Sequence, residues 1–241
     1  MTTLVLKLAG PMQSWGTDSR FAFRHTRTHP SKSGVIGLLA AALGRRRSDP
    51  LEDLLELRFG VRHDQPGRIL RDFQTAASLD RSRILPLTQR YYLSDAAFVA
   101  AIEGPDDVVA NLADALTHPK FPLYLGRRSC PPASPVFLST LPGSMLDALA
   151  GPDCSPWIAA RWWRQRQPRR VRLDITRDAN PDEPTHEMVR DLPVSFDSDH
   201  RQYSVRAVVH DHCWVTNDRS ATIHSSRTRT DHDPCQMWGE N

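Results

Sequence analysis

Paired cysteines, long apolar runs and metal-ligand spacings are all scarce in this sequence of 241 residues. The four cysteines, Cys130, Cys154, Cys213 and Cys235, are scattered and form no C-x-x-C pair. That argues against a disulfide framework or a structural zinc site and leaves them as ordinary thiols. The longest apolar stretch, residues 35–43, is half of the roughly 18 residues that a membrane span needs. The first residues lack a basic region ahead of an apolar core, because Lys7 interrupts the run, so a cytoplasmic location without membrane contact is expected. Acid is also scarce at the start: residues 1–47 hold eight basic side chains and a single acid, Asp18.

The net charge of +3 conceals this segregation. Residues 161–172 add six arginines and no acid, and the compensating carboxylates lie largely between Asp174 and Asp199. Cations gathered in this way build a local positive field whose natural counterpart is a phosphate backbone, although a solvated charged surface is the plainer reading of any one run.

The periodicity predicts an α+β chain with a ferredoxin-like (RRM-like) βαββαβ unit in its first two thirds. Residues 4–8 alternate as a first strand. Residues 34–43 form an apolar helix closed by Gly44 and the trio Arg45, Arg46 and Arg47, which suits the negative end of its dipole. Residues 57–63 and 69–75 are short strands around an Asp-Gln-Pro-Gly turn, and residues 91–103 read as one long strand. Residues 106–117 present Val108, Val109, Leu112, Ala113 and Leu116 on one helical face, and residues 135–139 supply the last strand. Beyond 140 a smaller, mostly β part follows: a short helix at 145–150, a basic strand pair within 157–175 and a final strand at 202–209. Residues 216–241 are polar and predict little regular structure. The expected units are thus 1–140, 141–215 and the tail 216–241.

Two stretches point to a ligand. GPMQSWG, residues 10–16, follows the first strand and is neither strand nor helix in composition. Arg27, Lys32 and Ser33 stand at the entry of the helix that carries Gly34 and Gly37. Glycine costs about 1 kcal/mol relative to alanine inside a helix, so two of them suggest a close approach, either by an anion at the free N–H groups or by packing against the first strand.

These stretches, with Pro30-Ser31-Lys32-Ser33-Gly34 and Tyr124-Leu125-Gly126-Arg127-Arg128-Ser129-Cys130-Pro131, resemble the Cas-five family of the RAMP superfamily. In type I-E CRISPR Cascade complexes its members are the CasD-type subunits. The resemblance runs in order through residues 1–140 and weakens beyond. It implies a non-catalytic, cofactor-free subunit that binds CRISPR RNA (crRNA), holds its 5′ handle and caps a backbone filament. The implied partners are the backbone subunit CasC, the large subunit CasA and, through the assembled complex, target DNA. It also implies a RAMP fold with a thumb hairpin, here at residues 75–90. The RNA-binding residues expected on this basis are Met12, Gln13, Trp15, Gly16, Arg24, Arg27, Lys32, Ser33, Gly34, Arg83, Arg90, Gly126, Arg127, Arg128 and Ser129. Trp15 and Met12 would face splayed bases and Gln13 a base edge or 2′-hydroxyl, unless Trp15 is core. Arginine forks after Gly126 match phosphate oxygens.

Two rival readings stay open. Relatives in another subtype cut repeat RNA without metal, and His25, His29, Lys32, His63, Tyr91 and Tyr92 are the side chains available for such acid–base work. A zinc site would draw on His210, His212 and Cys213 with His224, His232 and Cys235, against the plainer reading of a polar tail. No metal site is expected.

Overall fold

A computed structural model of the chain describes residues 1–16, 23–197 and 201–220. The frame is a seven-stranded antiparallel sheet. Its strands are β1 (Thr2–Ala9), β4 (Arg58–Gln65), β7 (Ala97–Gly104), β8 (Phe137–Pro142), β9 (Arg170–Asp178), β10 (Glu187–Ser195) and β11 (Gln202–Thr216). Across the sheet they run β10, β11, β9, β4, β7, β1, β8. A second sheet centres on β6 (Thr88–Ser94), which pairs along its whole length with β5 (Arg68–Gln74). The short strands β2 (Met12–Gln13) and β3 (Phe23–Arg24) pair with opposite ends of β6. The helices are α1 (Lys32–Leu43), α2 (Glu52–Leu55), α3 (Asp106–Thr117), α4 (Met145–Ala150) and α5 (Arg161–Arg164).

Strand alternation sorts the core into two layers. Leu4, Leu6 and Leu8 of β1 point with Phe59, Phe98 and Ile102 into the main core beneath α1 and α3. Val5 points the other way, with Val99, Ala101 and Ile175, onto Met145, Ala148 and Leu149 of α4. Helix α1 is apolar on nearly all sides because it lies deep in the main core. Gly44, at φ 81°, ends it: its N–H reaches Ala41 O and the next N–H reaches Ala40 O, which satisfies two otherwise orphaned carbonyls. The helix therefore stops one residue before the Arg45–Arg47 trio. Helix α3 has the predicted bounds and buries Val109, Leu112 and Leu116.

Four expectations need correction. The run 91–103 is not one strand: β6 and β7 belong to different sheets, and the chain turns between them at Asp95, whose φ is 55°. The run 69–75 becomes β5, part of the inserted hairpin and not of the main sheet. The basic stretch after Trp157 forms no strand pair. Its first part is held irregular by the indole N–H of Trp157 on Asp64 O, and then comes α5 before β9 alone enters the sheet. The last strand continues seven residues past Val209 to Thr216, because β9 pairs with it that far. Residues 221–241, with His224, His232 and Cys235, lie outside the described residues. Among the described residues no helix is long and apolar enough to cross a membrane.

Candidate nucleic-acid interface

Three segments far apart in sequence meet at one end of α1. Gly126 sits at φ 89° with its Cα against the backbone of Ser14, so close that a Cβ would lie 1.8 Å from Ser14 O. The N–H of Ser14 donates to Leu125 O at 3.1 Å, locking the 10–16 loop to the 124–130 turn. Arg127 extends the joint: its guanidinium donates to Arg24 O (2.8 Å) and Tyr91 O (3.2 Å) and lies 4.8 Å over the Tyr92 ring. At the same place the indole of Trp15 covers the first turn of α1, and a Cβ on Gly34 would come within 2.7 Å of it.

Several residues expected to touch RNA are committed inside the protein. Trp15 is only 1% exposed, and its Nε1–H donates to the Gln13 side chain at 2.9 Å. Gln13, fully buried, donates in turn to Leu8 O (3.0 Å) and Ala96 O (2.8 Å). The indole therefore has no face to offer a base and the amide no free donor for a base edge, which corrects that expectation. The helix N-terminus also has its anion already. The N–H of Lys32 donates to an Asp191 carboxylate oxygen at 2.8 Å, and its ammonium donates to Asp178 at 2.9 Å. Arg206 clamps both acids, donating to Asp191 and to Asp178 at 2.6 Å each. The four charges are buried and mutually paired, as buried charges must be. Met12, on β2, is half-buried and packs against the main core. Arg27 is half-buried and faces Glu187 at 3.7 Å.

The remaining predicted residues gather around a groove of 1130 Å³. Gly16, Arg24, Ser33, Gly34, Gly126 and Arg127 line it, with the edge of Trp15. So do Arg45, Arg46, Arg47, Arg190, Arg201, Phe196 and Tyr203. Among the described residues seven arginines and no carboxylate face this space. Arg45 is fixed by Pro50 O and by both oxygens of Asp53, which raises its pKa, while Arg46 and Arg47 are exposed. Arg128 and Ser129 are exposed beside the groove. Arg90, in register with Arg24, keeps its Nε without a partner. Arg83 stands apart, in the exposed tip of the β5–β6 hairpin.

Sequence reasoning missed Arg190, Arg201 and Tyr203 because they come from strands that only the folded sheet brings to α1. Arg45–Arg47 had been read as a dipole partner, and their clustering was the available signal. An aromatic row was missed too: Phe23 stacks on His25 at 6.3 Å, and His25 on Tyr91 at 5.0 Å.

The side chains weighed for acid–base work include two ring pairs, His25 with Tyr91 and His29 with His63. His29 and His63 lie side by side, 5.2 Å between ring centres, and neither lines the groove. Burial pushes His29 down to about 3, helped by the neighbouring His63 and Arg27, and pushes His63 down to about 4, so both stay neutral. Tyr92 is buried and the Lys32 amine is spent on Asp178. Among the described residues no group of three or more histidines, cysteines or carboxylates is placed to hold a metal ion.

Known proteins match this chain in sequence and in fold. The family model of the CRISPR-associated protein Cas5 matches residues 3–209. The CRISPR system Cascade subunit CasD of Escherichia coli (strain K12) is 38% identical over 161 residues, 58% of this chain and 72% of the relative. One chain of a solved CRISPR RNA-guided surveillance complex superposes with a TM-score of 0.71 at 34% identity, covering 89% of this chain and 91% of that one. A solved Cas protein gives a TM-score of 0.61, also at 34% identity, over 90% of this chain and 97% of that chain. The mixed α/β fold with mostly antiparallel sheets agrees with these structures, and the chain belongs to the Cas5 family of CRISPR-associated proteins.

Proposed function

We propose that this chain is the crRNA-binding subunit of a Cascade surveillance complex and grips the 5′ handle in the arginine-lined groove beside α1. The single observation that carries the assignment is the groove itself. Among the described residues seven arginines and no carboxylate line a groove that runs along α1, from the junction of the loops 10–16 and 124–130 at its start to Arg45–Arg47 past its end. Guanidinium forks hold phosphate oxygens in pairs, and the exposed glycine backbone at Gly16 and Gly126 lets a strand approach. The row of Phe23, His25 and Tyr91 beside Arg127 offers ring faces for unstacked bases.

Supporting the finer fold reading, β1, α1, β4, β7, α3 and β8 follow one another as βαββαβ with the sheet order β8, β1, β7, β4, which is how a ferredoxin-like RAMP unit is wound. The β5–β6 hairpin inserted between β4 and β7 is the thumb. Its tip exposes Leu79 fully and Ile84 by 76%, with Arg81 and Arg83 among them, as suits contact with the backbone subunit CasC and the RNA it carries. The subunit is non-catalytic and cytoplasmic, and meets CasA and target DNA only in the assembled complex. Gripping by protein and reading by guide RNA is the division of labour of RNA-guided recognition.

The test is co-expression with a CRISPR array, purification through this chain and sequencing of the bound RNA. Uniform 5′ ends derived from the repeat are expected. Random RNA fragments would overturn the assignment.

A further inference from the structure

The arginines of residues 161–172 and the far end of β11 lie outside the groove, and handle binding makes no use of them. β9 meets β4 only through Ile175, Thr176 and Arg177, so its first residues pair with β11 alone and form a two-stranded arm. Register puts Arg170, Arg172, His212 and Trp214 on one face of that arm. Trp214 is 51% exposed, with the Arg170 guanidinium 4.6 Å over its ring and His212 edge-on at 6.3 Å. The arm is braced at the same end: Asn217 Nδ2 donates to Arg164 O (2.7 Å), Gln167 O (3.2 Å) and Pro168 O (3.1 Å). The loop clamped in this way begins at α5, where Trp162 is 45% exposed and Arg166 lies 5.4 Å over it.

Two indoles, each under a guanidinium and each still about half exposed, need an explanation that core packing does not give. Carboxylates neutralise only part of the charge. Arg172 pairs with Asp174 and Arg164 with Asp218, whereas Arg161, Arg166, Arg169 and Arg170 pair with no acid among the described residues. Indole and guanidinium planes stack on any base, and unneutralised arginines hold the phosphates between them, which is the make-up of a sequence-tolerant single-strand platform.

We infer that the β9–β11 arm with the 161–169 loop is a second nucleic-acid surface, and that its ligand is single-stranded DNA. The choice of DNA rests on the handle-binding reading. RNA then fills the groove, and guide pairing with a duplex leaves one DNA strand unpaired, a strand that RNA-guided complexes stabilise on protein surfaces. A surface of rings and cations asks nothing of a 2′-hydroxyl.

Fluorescence anisotropy on the full-length protein tests this with labelled oligo(dT), oligo(rU) and the repeat RNA. The arm variant, Trp214→Ala with Arg170→Glu, and the loop variant, Trp162→Ala with Arg166→Glu, should each weaken oligo(dT) binding by about tenfold or more, as loss of a stacked base and a phosphate contact implies. Both should keep the wild-type melting temperature and bind repeat RNA within about twofold of wild type, while Trp214→Phe, which keeps a ring, retains most oligo(dT) affinity. Arg46→Glu with Arg47→Glu should do the reverse. Oligo(dT) affinity unchanged in both surface variants overturns the inference, as does tighter oligo(rU) binding that the arm variant abolishes. If repeat RNA fails to bind wild type while oligo(dT) behaves as expected, the handle reading fails and the surface stands.

Discussion

The indole of Trp15 rests directly on the backbone of Gly34, leaving no room for even a methyl group between them. Loop and helix are thereby keyed to each other, and the key is structural. Trp15→Ala should cost about 3–5 kcal/mol of folding stability, the usual range for a large aromatic removed from a core. Gly34→Ala should also destabilise, since the clash falls on a ring held by Gln13. Urea unfolding checks both. A Trp15→Ala protein of unchanged midpoint but impaired RNA binding would return the indole to the interface.

Groove binding predicts charge-specific losses. Arg46→Glu and Arg47→Glu should each weaken repeat RNA binding and lower the slope of log affinity against log salt by about 1, one phosphate contact apiece. Titrations at several salt concentrations measure this. Slopes that do not move would place both arginines off the RNA path.

The charge network at α1 predicts a different signature for Lys32. Lys32→Ala takes from the buried Asp178 one of its two cationic partners, Arg206 remaining, and should destabilise by about 1.5–3 kcal/mol, the range for a lost hydrogen bond to a charged group. Replacing Asp178 by Asn as well should recover part of that loss. A double-mutant cycle on unfolding free energies decides it, and strict additivity of the two changes would show that the pair does not interact.

Acid should weaken the fold through two histidines. His29 and His63 have folded pKa values of about 3 and about 4 against 6.5 when solvated. Below 6.5 the unfolded chain therefore binds protons that the folded one refuses. Their contribution is complete above 6.5 and is lost progressively as pH falls toward 4 and then 3. Unfolding midpoints measured from pH 7.5 down to pH 5 should decline in the wild type, and His29→Asn with His63→Asn should flatten that decline. An equal slope in the double variant would mean other groups dominate.

The hairpin tip predicts an assembly defect without a folding defect. Replacing residues 78–86 by a short Gly-Ser turn should leave the melting temperature close to wild type, because these side chains are almost all exposed. It should nevertheless prevent stable association with crRNA and the backbone subunit. Co-purification at the normal ratio would refute the thumb assignment.

What the sequence disclosed and what it concealed divide along sequence separation. Helices α1, α3 and α4 and strand β1 carry their apolar patterns and stops locally, so they could be read directly. The break between β6 and β7 could not, since Asp95 takes a left-handed conformation that its neighbours give no reason to expect. Motif spacing pointed to the loops and helix start that the structure brings together. It could not tell which members face inward, because Gln13, Trp15 and Lys32 are buried by partners such as Ala96 and Asp178 that lie 83 and 146 residues away.

The groove draws Arg24 and Arg45–Arg47 from the start of the chain and Arg190, Arg201 and Tyr203 from near its end, while Asp191 and Arg206 fasten the α1 N-terminus. During translation the first arginines emerge long before the last, and until β10 and β11 leave the ribosome one wall of the groove is missing and Lys32 has no Asp191 to hold. A chain cut before residue 189 is thus a basic fragment with half a groove, its arginines present but one wall and the anchor of Lys32 missing.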